Sequence, residues 1–376
     1  MNKLKVVTVL GTRPEIIRLS VIIKKFDQFF DHTLVHTGQN YDYTLNEIFF
    51  EELDIRKPDF FLEVVGQDLG ETMGNVLSKS YSLFEKVKPD ALLVLGDTNS
   101  ALCTISAKRL KIPIFHMEAG NRCFDQNVPE ELNRKIADHT ADINLTYTEN
   151  SRRYLLSEGF RKDHVFCIGS PLKEVLDFYS DKINSSSILD KLKLNSKEYV
   201  VASIHREDNL DLGDNFKTII SSLNGVAEHH NKQIIFSTHP RTRKKIKKLN
   251  LKVSPKISFI EPLGFFDYVH LQSKALITLS DSGTISEESA MLGFKAISIR
   301  TSTERPEAID GGHIVLGNIT LDNILNSIKI TLDLNIQESI PDGYNKQDVS
   351  NTMVKLVQSY TSIVNKETWS KLSLNK

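Results

Sequence analysis

An α/β protein of two domains, each built on a parallel β-sheet, is what this 376-residue sequence predicts. Three observations carry that expectation. The chain exceeds the ~250–300 residues at which a single hydrophobic core stops growing. Short β-rich runs alternate with longer amphipathic segments, the rhythm of βαβ units. That rhythm pauses at the polar stretch Lys182–Ser187 and then starts again.

The strands of the first half are expected at Lys5–Leu10, Thr33–Thr37, Ala91–Leu95, Pro113–His116, Asp142–Tyr147 and Val165–Ile168. Those of the second half are expected at Tyr199–Ile204, Gln233–Thr238, Ile257–Ile260, Ala275–Leu279 and Ala296–Ile299. The boundary is expected within Ser170–Leu176, which gives one domain over 1–172 and another over 173–348. There is no fixed-period repeat and no low-complexity tract, so a solenoid is not expected.

Composition narrows the class of partner. With 47 basic and 48 acidic residues the net charge is −1, so no global field recruits nucleic acid or an anionic membrane. The basic run Arg241–Lys248 is interrupted by Ile246 and followed by Leu249, which reads as a solvated helix face rather than a polyanion patch. Cys103, Cys123 and Cys167 are odd in number and widely spaced, against a disulfide framework or a zinc site and in favour of a reducing cytoplasm. Gly11 and Arg13 cut off the first apolar run, so neither a signal peptide nor a membrane span is expected there.

Ligands of open parallel sheets lie beyond the carboxyl ends of the strands, so the residues that follow the strands are the candidates. The first strand runs into Gly11-Thr12-Arg13-Pro14-Glu15, with Arg18 one turn on. Glycine permits the turn, proline starts a helix, and helix N–H groups with Arg13 and Arg18 suit an anion; a plain strand-to-helix turn fits as well. Asp97 and Thr98 follow the third strand, where either could simply cap a helix beginning near Ser100. Glu118 follows the next strand within His116-Met117-Glu118-Ala119-Gly120; partly desolvated, it suits a general acid or base, and a satisfied structural acid is the alternative. Pro129-Glu130-Glu131 reads first as a helix start favoured by the dipole.

In the second half, His205-Arg206 and His239-Pro240-Arg241 each place a histidine and an arginine after a strand, suited to one anionic group. The run Ser280-Asp281-Ser282-Gly283-Thr284 forms a strand-to-helix turn whose N–H groups and hydroxyls face the helix start. Thr284 with Glu287 fits a capping box, whereas Glu288 is free to accept from a ribose diol. Arg305 sits in a later loop. GxGxxG, GxxxxGK[ST] and HExxH are absent, and His32 and His36 lie ~13 Å apart along a strand, so neither a dinucleotide cofactor nor a metal ion is expected.

Taken in order, Gly11–Glu15, Gly96–Thr98, His116–Gly120, Pro129–Arg134, Asp281–Glu288 and Thr303–Ala308 resemble the motifs of the non-hydrolysing UDP-N-acetylglucosamine 2-epimerase family over nearly the whole chain. The resemblance implies a glycosyltransferase-B type fold of two Rossmann-like domains, with a final helix, here within 349–376, returning to the first. It implies catalytic positions at Asp97, Glu118, Glu130 and His205. It also implies UDP contacts at Arg13, His239, Ser282, Gly283, Glu288 and Arg305, with Tyr268 beside the uracil. Arg18, Arg206 and Thr284 join the expected substrate contacts on their positions after strands. No cofactor is implied, and a cytoplasmic homodimer is.

Two segments depart from the commonest family pattern. Asn121-Arg122-Cys123-Phe124-Asp125-Gln126-Asn127-Val128 replaces a Leu-Arg-Thr start and a longer loop, and Gly38-Gln39-Asn40-Tyr41-Asp42 lacks the usual histidine after glutamine. The second departure weakens any carry-over of the activator site some members have there. Both resemble the subgroup that forms UDP-N-acetyl-L-fucosamine from its L-talosamine epimer for capsule or O-antigen. UDP-GlcNAc/UDP-ManNAc epimerisation is the alternative substrate reading; a glycosyltransferase or a non-catalytic UDP-sugar sensor are the alternative classes.

Overall fold

A computed structural model describes residues 3–39, 43–204, 209, 213–238, 240–300, 303–334 and 339–371, with the side chains of 43–47, 240 and 241 excepted. The chain divides into two compact units, Met1–Phe178 with Asp342–Lys376, and Tyr179–Pro341. The sequence reading put the cuts at 172/173 and 348/349. The six residues gained by the first unit at its inner edge are explained by the helix Leu172–Phe178, which packs on the helix Arg13–Phe29.

The first unit carries a seven-stranded parallel sheet: β1 Lys5–Leu10, β2 Asp31–His36, β3 Phe60–Phe61, β4 Ala91–Leu95, β5 Ile114–Met117, β6 Ile143–Thr146 and β7 Val165–Cys167. Its order is β3-β2-β1-β4-β5-β6-β7. Helices α1 Arg13–Phe29, α2 Tyr43–Glu52, α3 Leu69–Val87, α4 Cys103–Arg109, α5 Pro129–Thr140, α6 Glu149–Ser157 and α7 Leu172–Phe178 connect the strands or follow the last. β4 reads as an unbroken apolar run rather than an alternating one, and all five of its residues are buried, as a sheet covered on both faces requires. Val7, Val9, Leu92, Val94 and Ile114 form one layer of that core with Leu83 and Phe84 of α3.

The last helix, Val349–Glu367, belongs to this first unit and packs on α1. Val349, Met353, Val357 and Val364 recur at near helical spacing and are buried, a stripe contributing about 1.5–3 kcal/mol for each side chain. Glu174 of α7 accepts from the Ser350 N–H at 2.8 Å and so caps its first turn.

The second unit repeats the plan with β8 Tyr199–Ser203, β9 Gln233–Ser237, β10 Ile257–Ile260, β11 Ile277–Ser280, β12 Ala296–Ser298 and β13 Val315–Leu316, in the order β10-β9-β8-β11-β12-β13. All pairings are parallel, from Tyr199 opposite Gln233 to Ser280 opposite Ser298. Phe216, Ile219 and Leu223 of the helix Asn215–His230, with Ile324 and Ile328 of Leu321–Asp333, cover Val200, Ala202, Ile277 and Ile297. The fold is thus two Rossmann-like α/β units of the glycosyltransferase-B type. Every strand expected from sequence is present within a residue or two; β3 and β13, two residues each, were too short to show a period. In the basic helix Pro240–Lys248, Ile246 is buried and Arg243 pairs with Glu261 at 2.8 Å, as a solvated helix face requires. Among the described residues no helix is long and apolar enough to cross a membrane.

Candidate functional site

Each sheet reverses its strand order once, between β1 and β4 in the first unit and between β8 and β11 in the second; Asp97 follows β4, Asp281–Thr284 follow β11, and Glu118 follows β5, the neighbour of β4. In the first unit, Gly96 takes φ +75° and turns the chain out of β4. Thr98 caps the short helix that follows, accepting from the Ser100 N–H at 3.3 Å. Asp97 is thereby free of capping and meets Arg134 of α5, at 2.6 Å from Nη2 and 3.1 Å from Nε. Burial raises its proton affinity, Arg134 opposes the rise, and the nearby carboxylates of Glu118 and Glu130 add to it. The balance holds the Asp97 carboxyl above the usual aspartate range.

Glu118 leaves β5 with φ +64°, a left-handed conformation costly for a side chain of its kind, and so is held by its surroundings rather than by preference. Its carboxylate accepts from Asn121 Nδ2 at 3.3 Å and lies 3.9 Å from the Arg18 guanidinium, which also faces the Tyr147 ring. Glu130 opens α5 behind Pro129, as the helix-start reading has it. Its neighbour Glu131 is buried and accepts from Arg134 at 2.8 Å, from the Cys123 N–H at 3.2 Å and from the Phe124 N–H at 3.3 Å. Burial alone would raise Glu131, but the Cys123 N–H and Arg134 hold it below the ordinary range.

The turn after β1 is held differently from expectation. The Gly11 and Thr12 N–H groups donate to Glu15 Oε2 at 2.6 and 2.7 Å, and the Thr98 hydroxyl donates to Oε1 at 2.7 Å. A side chain of the helix itself is therefore the anion at this turn. Burial pushes the Glu15 carboxyl up to about 7, against the pull of those four donors, the Thr12 hydroxyl included. Gly11 is obligatory for space, since a Cβ there would fall 2.1 Å from Thr37 Oγ1 and 2.3 Å from Ser100 Oγ. Arg13 is exposed, 5.8 Å above the Phe49 ring.

In the second unit β11 ends at Ser280, and Asp281, fully buried, accepts from Asn209 at 3.0 Å. The Ser282 and Thr284 hydroxyls pair at 2.9 Å beside Gly283, ahead of the helix Ile285–Leu292. A Cβ on Gly283 would fall 2.4 Å from Glu304 Oε1. The capping box expected from Thr284 and Glu287 does not form. Thr284 is in a helical conformation and makes no side-chain cap, because Glu287, fully buried, is ion-paired with Arg305. Glu288 accepts from Gln272 Nε2 at 2.6 Å, and Tyr268 is half-buried beside the cluster of Tyr199, Leu271 and Ala275.

The structure thus gathers Asp97, Glu118 and Glu130 in one unit and Ser282, Gly283, Thr284, Glu288 and Arg305 in the other. His205, Arg206 and His239 lie outside the described residues. Glu15, Glu131 and Arg134 stand inside motifs visible in the sequence, but none is expected there as a site residue. Thr12 with Glu15 carries the Thr-x-x-Glu signature of a helix start, and Arg134 stands three residues beyond Glu131 on one helix face, so both were legible in principle. Among the described residues no three His, Cys, Asp or Glu side chains converge as a metal site.

The family profile described as UDP-N-acetylglucosamine 2-epimerase matches residues 24–358. The structure of a UDP-N-acetylglucosamine 2-epimerase from Rickettsia bellii superposes with a TM-score of 0.92 at 45% identity, over 98% of this chain and 100% of that one. A Methanocaldococcus jannaschii UDP-GlcNAc 2-epimerase, crystallised with UDP-GlcNAc and UDP, gives a TM-score of 0.88 at 32% identity, over 94% and 99%. The Pseudomonas aeruginosa UDP-2,3-diacetamido-2,3-dideoxy-D-glucuronate 2-epimerase is 32% identical over 341 residues, 89% of this chain and 94% of that one. Acinetobacter baumannii MurG, 12% identical with a TM-score of 0.54, shares the fold alone. With the profile spanning most of the chain and relatives matched nearly end to end, the chain belongs to the UDP-N-acetylglucosamine 2-epimerase family, isomerases of UDP-linked sugars.

Proposed function

We propose that this enzyme inverts C2 of a UDP-linked N-acetylhexosamine by releasing UDP from C1 and taking it back. The observation that carries the reading is the group of three carboxylates, Asp97 after β4, Glu118 after the adjacent β5 and Glu130 at the start of α5, with Asp97 held above its ordinary proton affinity. A C2 hydrogen beside an acetamido group has no ketone to acidify it. As the C1–O bond to UDP lengthens, the ring gains oxocarbenium character and that hydrogen becomes acidic. A carboxylate removes it, the C1–O electrons leave with UDP, and a 2-acetamidoglycal remains. In the return step a phosphate oxygen of UDP bonds to C1 while a second carboxyl group protonates C2 from the opposite face. Raised proton affinity suits a group that must both take and give a proton near neutral pH. His205 completes the proposed catalytic set.

The UDP contacts are assigned to Arg13, Arg18, Arg206, His239, Tyr268, Ser282, Gly283, Thr284, Glu288 and Arg305. The hydroxyl-lined turn Ser282-Gly283-Thr284 at a helix N-terminus supports a phosphate there, and preorganised donors of this kind are worth ~3–4 kcal/mol each to a departing oxyanion. The first unit, Met1–Phe178 with Asp342–Lys376, is assigned to the sugar and the second, Tyr179–Pro341, to UDP. A homodimer acting in the cytoplasm is part of the same reading.

The substrate we assign is UDP-2-acetamido-2,6-dideoxy-L-talose, converted to UDP-N-acetyl-L-fucosamine for capsule or O-antigen. The Asn121–Val128 segment supports it, since Glu131 and Arg122 pin this segment close to Asp97 and Glu118. The names of the R. bellii and M. jannaschii relatives favour UDP-GlcNAc and UDP-ManNAc as the second reading. Incubation with each UDP-sugar separately, followed by proton NMR, decides between them. Turnover of the L-sugar alone is expected; turnover of UDP-GlcNAc with none of the L-sugar sinks the subgroup assignment.

A further inference from the structure

Beneath the carboxylates lies a fully buried ionic group that the reaction as written does not use. His116, at the carboxyl end of β5, hydrogen-bonds the Gly96 carbonyl through Nε2 at 2.8 Å and brings Nδ1 within 2.9 Å of Asp138 Oδ1, an ion-pair contact that lies out of hydrogen-bond line. Both partners are acceptors. A neutral imidazole that donates from Nε2 to the carbonyl turns a bare Nδ1 lone pair toward the Asp138 carboxylate; an imidazolium keeps that bond and sets a positive charge against the carboxylate. Asp138 also accepts from the Gly120 N–H, at 3.2 and 3.3 Å to its two oxygens, and from Arg122 Nη1 at 2.7 Å. Arg122 passes on to Glu158 through two further bonds at 2.6 and 2.7 Å.

These contacts end on the two loops that carry Asp97 and Glu118. Gly96 is the residue before Asp97, and Gly120 is two residues after Glu118. Gly96, Glu118 and Gly120 all take left-handed backbone, at φ +75°, +64° and +80°. Such conformations at a side-chain-bearing residue cost roughly 1–3 kcal/mol and persist only where the surroundings over-determine them. His116 holds the carbonyl of the Gly96–Asp97 peptide and Asp138 holds the N–H of the Ala119–Gly120 peptide, one residue beyond Glu118, and the ion pair joins the two.

We infer that His116 and Asp138 are positioning residues, a buried imidazolium–carboxylate pair that holds the loops of Asp97 and Glu118 in register for proton transfer on the sugar. The inference rests on the reading of Asp97 and Glu118 as the proton-transferring groups. The charged groups facing the imidazolium are Asp138, with Arg122 behind it, and Asp97 beyond Gly96. The pair touches neither UDP nor sugar in this account, so its loss is expected in the rate and not in nucleotide affinity.

The test is His116→Gln and Asp138→Asn in the full-length enzyme, beside Asp97→Asn, with kcat and KM for the UDP-sugar and the Kd for UDP by calorimetry. Glutamine keeps one donor and loses the charge; asparagine keeps the shape and loses the counter-ion. A misplacement of ~1 Å costs about 10²-fold in rate, so kcat should fall about a hundredfold in both variants while Kd for UDP is unchanged. A wild-type kcat in His116→Gln beside a dead Asp97→Asn would overturn the positioning role and leave the function standing. Wild-type rates in all three would remove the function and the inference with it. Loss of UDP binding in parallel with kcat would mean a merely structural pair and also overturn it. Nitrogen NMR of the ¹⁵N-histidine-labelled wild-type enzyme at pH 7.5 is independent of variant folding. Two protonated ring nitrogens are expected at His116; a single-proton tautomer would overturn the inference.

Discussion

Glu15 gives the sharpest quantitative prediction. Its carboxylate is buried, and burial lifts it from 4.5 to about 7. Between those values the folded protein keeps a proton that the unfolded chain has lost. Folded protein therefore binds more protons over that window, and stability falls as the pH rises through it. At about 1.4 kcal/mol for each pH unit, the full penalty is about 3 kcal/mol, nearly all present at pH 8 and about 1 kcal/mol at pH 5. Glutamine fits the same space, keeps an oxygen for the Gly11 and Thr12 N–H groups, and turns an amide N–H toward the Thr98 hydroxyl, which can accept. It does not titrate. Urea unfolding of wild type and Glu15→Gln at pH 5 and pH 8 should therefore show the wild type losing about 2–3 kcal/mol relative to the variant across that interval. A stability gap independent of pH, or one that moves the other way, refutes the burial argument.

Three further outcomes follow from the same geometry. Asp97→Asn should lower C2 hydrogen exchange by about 10²–10⁴-fold while calorimetric UDP affinity stays at the wild-type value, since only proton transfer is removed. Gly120→Ala should lower stability by about 2–3 kcal/mol or more in thermal unfolding, because its backbone sits at φ +80° and the new Cβ would fall 2.3 Å from the Ser151 carbonyl oxygen. Arg305→Met should destabilise the protein by about 3–5 kcal/mol by removing the guanidinium from the buried Glu287; adding Glu287→Leu should recover most of the loss, and a double variant no more stable than the single would contradict the ion-pair account.

The sheets were legible because their strands are mostly apolar runs, and one such as Ala91–Leu95 announces itself without any partner in view. β3 and β13 were not, since two residues carry no period and pair only because β2 and β12 are already there. Asp97, Glu118 and Glu130 were readable from their places after strands or at a helix start. Their mutual arrangement was not, for it depends on Arg134 crossing from α5 and on left-handed backbone at Glu118, which no local rule predicts for a glutamate. Thr284 and Glu287 show the reverse failure: the capping signature is present, but the demand of a buried Arg305 for a counter-ion outweighs a surface cap worth about 1 kcal/mol. Likewise the turn after β1 looked open to an external anion, whereas Glu15, three residues beyond Thr12, already occupies its Gly11 and Thr12 N–H groups.

The measurement closest to the central claim is conversion of the UDP-sugar in D₂O by the full-length enzyme, followed at C2 by NMR. Departure and return of UDP with proton exchange at carboxyl groups predicts that converted product carries deuterium at C2, and that a trace of 2-acetamidoglycal with free UDP is released. Product that retains its original C2 hydrogen throughout would contradict the account.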